Sequence, residues 1–196
     1  MLIVPIFASE NLDEKGGLLA VRYIEGDLDE YERLFENWTN KEWIRKYLER
    51  NETWLASDFF KSHTKEAIVT AIEKEAVFLD DFFIRVYEEG FGANCSVLQH
   101  IFKPLDNREY RLYALQQQKG KATGRRFNTA FLRIYAIRLH ENLFIITGGA
   151  IKLTQSMSEH PDTLEELNKL KKAVAFLRDN GINTSDDLIY YYDNLE

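Results

Sequence analysis

The apolar residues of this chain change their period near residue 97, from the three-to-four spacing of amphipathic helices to the alternation of strands. After residue 160 the helical spacing returns. A helix stripe and a strand face each need a partner layer, so this order of periods predicts an α+β fold: a β-sheet segment, packed with helices, between two mostly helical segments. Before the switch, Tyr31, Leu34, Phe35 and Trp38 mark one helix, and Trp43, Ile44, Tyr47 and Leu48 a second. The acids Asp27, Asp29 and Glu30 load the first helix start, where the peptide dipoles favour negative charge. Thr39 with Glu42 resembles a capping box for the second. Ile68, Ala71, Ile72, Leu79, Phe82, Phe83 and Val86 predict a long helix over 64–89 that ends at Gly90, with Glu73, Glu75, Asp80 and Asp81 on its solvated face. The aromatic residues of Tyr31–Trp54 fit a core at this spacing better than a base-stacking platform. Further upstream, Leu2–Phe7 and Leu18–Ile24 read as strand, loop and strand.

Within the middle segment, Tyr110–Leu115, Phe131–Leu139, Leu143–Thr147 and Ala150–Leu153 alternate or run apolar between short turns. They predict an antiparallel sheet of about four strands, with a turn at Gly148-Gly149. Gln116–Arg126, carrying Lys119, Lys121, Arg125 and Arg126, reads as a basic hairpin loop. His160-Pro161-Asp162 opens a helix bearing Leu164, Leu167, Leu170, Val174 and Leu177. Thr184 caps a last short helix.

Charge divides along the same lines. Residues 1–90 hold 11 Lys/Arg against 20 Asp/Glu, whereas residues 91–160 hold 10 against 4, within a chain of net charge −7. The basic middle either faces an anion or is neutralised by its acidic flanks. With 45% hydrophobic and 13% aromatic residues the chain has enough apolar surface for a core. No apolar run reaches membrane-spanning length, and Met1–Phe7 reads as a strand rather than a secretion signal. Cys95 is the sole cysteine, which excludes a disulfide framework and fits the cytoplasm. His63, His100, His140 and His160 are scattered, and no phosphate-binding or dinucleotide glycine motif occurs, so no metal or cofactor is expected.

What remains is cationic side chains on a sheet. Arg111 falls on the first middle strand, Arg133 and Tyr135 share one face of the next, and Lys152 follows on the last. Cations gathered on one face can hold a phosphodiester and stabilise charge building on phosphorus; alternatively, each pairs with a helix carboxylate. The succession Tyr110-Arg111-Leu112-Tyr113, Leu132-Arg133-Ile134-Tyr135 and Phe144–Gln155 resembles the RelE/ParE superfamily, most closely its HigB-like and related phage branch. The resemblance covers roughly residues 64–178. It implies a toxin-type domain over 62–196 with a small curved antiparallel sheet, preceded by an acidic strand-and-helix extension over 1–61. It further implies a toxin of a bacterial toxin–antitoxin pair, acting as a metal-independent endoribonuclease on messenger RNA at the ribosome, with an antitoxin protein as partner. By resemblance Arg111 and Arg133 steady the phosphate, Lys152 stabilises charge or moves a proton, and Tyr135 is a further catalytic candidate. Lys119, Lys121, Arg125 and Arg126 would grip RNA backbone. The family's second lysine is Leu153 here. The same fold also serves the alternative of a non-catalytic module that docks an acidic partner.

Overall fold

The computed structural model describes residues 1–8, 16–24, 27–55, 63–90, 97–109, 111–122, 130–154 and 159–195. Its strands are β1 (Leu2–Ala8), β2 (Gly17–Arg22), β3 (Phe102–Pro104), β4 (Gln116–Gly120), β5 (Leu132–His140) and β6 (Leu143–Ile151). The helices are α1 (Glu30–Thr39), α2 (Lys41–Arg50), α3 (Glu52–Leu55), α4 (Lys65–Glu89), α5 (Val97–Ile101), α6 (Pro161–Asp179) and α7 (Ser185–Asp193). The α+β class follows, but the sheet has six strands rather than about four, and it is mixed rather than antiparallel. Its order is β1-β2-β6-β5-β4-β3, with β2 running parallel to β6 and every other neighbour antiparallel.

The two extra strands belong to the acidic N-terminal segment. The β1–β2 hairpin lies against β6, where Gly17 N–H donates to Asn142 O at 2.8 Å. Gly16 has φ +78°, and a Cβ there would meet Asn142 O at 2.3 Å, so only glycine fits. The boundary drawn at residue 61 therefore does not coincide with a break in the sheet.

Helices cover both faces. On one, α1, α2 and α4 bury Leu34, Trp38, Ile44, Ile72, Leu79 and Phe83 against Leu132, Ile134, Phe144 and Ile146. On the other, Leu170, Ala173, Val174 and Leu177 of α6, with Leu188 of α7, cover Tyr135, Ile137, Leu143 and Ile145. A strand buried on both faces has no need of polar alternation, which is why β6 is buried along all nine residues. Tyr31, Phe35 and Trp38 lie in the core, whereas Trp43 and Trp54 pack at its margin.

Three local expectations are corrected. Of the strand expected over Tyr110–Leu115, residues 111–115 are described and form none: Leu115 has φ +58°, which breaks extension, and Leu112 and Tyr113 are 47% and 49% exposed. The strand is instead Gln116–Gly120, expected to be loop. Gly148-Gly149 is no turn: β6 runs through it with a bulge opposite Tyr135/Ala136. Glu75 is not solvated but 1% exposed, its carboxylate accepting from Phe131 N–H at 2.8 Å and Leu132 N–H at 2.9 Å. No helix among the described residues is long and apolar enough to cross a membrane.

Candidate functional site

Three neighbouring antiparallel strands, β4, β5 and β6, have a terminus at the same end of the sheet, and each brings a cation there. Lys119 stands opposite Tyr135 in the β4–β5 register, Gly120 opposite Ile134, and Lys121 follows just beyond β4. Arg133 stands opposite Ala150, and Lys152 follows directly after β6, its N–H donating to Phe131 O at 2.7 Å. Strands about 4.8 Å apart thus set four cationic residues on a common end. Burial depresses the Lys152 ammonium, and Arg133, Lys121 and Lys119 depress it further by repulsion. The Lys119 ammonium is lowered likewise by burial, then by Arg133 and Lys121, with Asp106 opposing. Burial lowers the Arg133 guanidinium, against the pull of Tyr135 and Glu75. Among the described residues none of the four cations forms an ion pair. Arg133 Nη1 is held by Ala130 O and Leu132 O at 3.0 and 2.6 Å, and Lys119 Nζ by Leu105 O at 2.8 Å.

Arg111 is not part of this group. It lies in the exposed connection before β4, and β4 begins opposite Arg138, toward the other end of β5. Its carbonyl accepts from Gln116 Nε2 at 3.0 Å. Tyr135 is within reach in sequence but fully buried, with its hydroxyl unpartnered among the described residues. Burial pushes that phenol well above its ordinary value. Arg125 and Arg126 lie outside the described residues.

A second constellation escaped the sequence reading. Beyond the pair Ala20↔Ile146 the parallel strands β2 and β6 separate, leaving the edge of β6 without a neighbouring strand. Side chains take over its backbone groups: Tyr23 Oη donates to Thr147 O at 2.8 Å, and Gly149 N–H donates to Glu166 Oε2 at 3.0 Å. Glu166, from α6, joins Glu30, from α1, through two shared cations. Arg33 Nη2 donates to Glu30 Oε2 at 2.5 Å and Glu166 Oε1 at 3.3 Å. Lys169 Nζ donates to Glu30 Oε1 at 3.3 Å and Glu166 Oε1 at 3.0 Å. Burial raises the Glu166 carboxyl, opposed by Lys169 and Arg33. Gly148 makes room for this ring, since a Cβ there would stand 1.7 Å from Glu166 Oε2. Among the described residues no cluster of three or more His, Cys, Asp or Glu is placed to hold a metal ion.

Comparison with protein families, with curated proteins and with solved structures finds no match to this chain.

Proposed function

We propose that the chain is a toxin-like RNA-binding protein of the RelE/ParE kind, which grips phosphate groups at the basic strand end. The convergence of Lys119, Lys121, Arg133 and Lys152 carries this reading. Cations that depress one another are stabilised by an arriving anion, and each phosphate they neutralise releases counterions. Arg133 and Lys152 supply the charge that cleavage needs at a phosphodiester, with Lys119 and Lys121 on its flank. Arg111, away from this end, has no role at that phosphate in this reading. The buried phenol of Tyr135, unpartnered among the described residues, is not offered as a general base.

Those two placements favour a second reading, a non-catalytic module whose basic end docks an acidic partner such as an antitoxin. The two separate in one experiment. Binding of a fluorescently labelled single-stranded RNA is followed across a salt titration, for the wild type and for a variant with Lys119, Lys121 and Lys152 each changed to Gln, and the RNA is afterwards resolved for cleavage. RNA binding predicts a linear fall of log affinity with log salt, whose slope drops by about 2 in the triple variant. Bound but intact RNA removes the nuclease and keeps the binding. No RNA binding, together with capture of an acidic peptide by the wild type and not the triple variant, selects the second reading.

A further inference from the structure

Open sheets with parallel strands bind ligands in the crevice outside the carboxyl ends of those strands. In this sheet β2 and β6 form the parallel pair, and they part beyond Ile146. A cavity of about 230 Å³ opens there beside the Glu30–Arg33–Glu166–Lys169 ring. One wall is aromatic: Trp43 stacks on Tyr47 with centroids 5.3 Å apart and planes at 14°, and Trp38 lies beside them. The floor is the strand segment Gly149–Ile151.

The charges around the cavity say what fits. The ring is neutral, two carboxylates against two cations, and Asp162 is engaged by the Tyr47 hydroxyl at 2.7 Å. Beside Asp162, which keeps its charge, two charged residues on the cavity have no side-chain partner among the described residues, and they are of opposite sign. Arg50 makes no ion pair among the described residues, its Nε reaching Lys46 O at 3.3 Å. Glu165 is exposed on α6 and makes no ion pair or side-chain hydrogen bond among the described residues either. A hollow with one uncommitted cation, one uncommitted anion and an aromatic wall matches a molecule that carries both charges and an apolar group.

We propose that this crevice binds a small zwitterion of the amino-acid class, its carboxylate toward Arg50, its ammonium toward Glu165, and its apolar side chain against Trp43. This site is separate from the basic strand end and does not rest on the RNA reading. Trp38 and Trp43 line the cavity, so the protein carries its own reporter. Tryptophan fluorescence of the full chain is titrated with L-phenylalanine and L-leucine, and with N-acetyl-L-phenylalanine and L-phenylalanine amide as blocked forms. The expected result is a saturable change with at least one free amino acid, and about tenfold weaker binding of the blocked forms, since each loses one charge-assisted contact. Arg50→Gln and Glu165→Gln should each weaken binding about tenfold while keeping the wild-type melting temperature, because both side chains are exposed. No saturable change with either amino acid, equal binding of free and blocked forms, or unaltered affinity in both variants overturns the proposal.

Discussion

His160 shows how much one buried side chain determines here. It is 1% exposed and caps α6, with Nδ1 accepting from Asp162 N–H at 3.2 Å. That bond requires Nδ1 to be bare, so the proton sits on Nε2, which faces Asn51 Oδ1 at 3.1 Å. The Trp54 ring packs on the imidazole at 4.9 Å. Burial holds the imidazole below its ordinary value, with the Asp162 carboxylate opposing. The unfolded chain therefore takes up the proton first as pH falls. Stability from the neutral cap is complete above the unfolded value and is lost as pH drops through the folded one. The melting temperature of the wild type should decline between about pH 7 and pH 5 more steeply than that of His160→Asn, whose amide oxygen keeps the cap without titrating. Parallel declines in the two proteins would rule out His160 as the source.

Among the elements, α4 and β5 are tied by a single carboxylate. Glu75 gives the Phe131 and Leu132 N–H groups their acceptor before the β5 ladder begins. Glu75→Ala should cost about 3 kcal/mol in urea unfolding, since two buried donors are left unpaired; a loss below about 1 kcal/mol would show that water replaces the carboxylate. The residues that escaped the sequence reading share a pattern that was there to be seen. Glu75 falls on the α4 stripe between Ile72 and Leu79, Glu30 is one α1 turn before Leu34, and Glu166 is one α6 turn before Leu170. An acid on an apolar stripe marks a buried carboxylate, whereas composition alone assigns it to solvent. The helices were legible because capping and period agree, as at Thr64 and Gly90 around α4, although α2 is capped by Asn40 and not by Thr39, which closes α1 with its hydroxyl on Phe35 O. That Arg133 and Tyr135 share one face of β5 was legible too, from strand alternation. Strand pairing was not: Tyr110–Leu115 alternates as a strand does, and nothing local reveals that Leu115 takes a positive φ. The parallel pairing of β2 with β6 is set by shape across the whole chain and leaves no local trace.

For the whole molecule, the acidic first third and the basic middle share one framework. Core residues of α1 and α2 pack against β5 and β6, and β2 lies inside the sheet rather than at its edge. A chain beginning at residue 62 would uncover one edge of β6 and much of one sheet face. It should show no cooperative thermal transition by circular dichroism, in contrast to the full chain. A cooperative melt would instead identify the first 61 residues as a separable cover over an autonomous domain.

The placement of β2 also sets a folding order. Tyr23 and Thr147, which meet across the parting strands, are 124 residues apart in sequence. Closing so long a loop is slow. During synthesis the opening hairpin leaves the ribosome long before the strand that receives it exists, and its apolar residues Leu18, Leu19 and Val21 must wait without a partner. The acids that crowd the first third of the chain keep that waiting segment dispersed, a task that ends once β6 arrives.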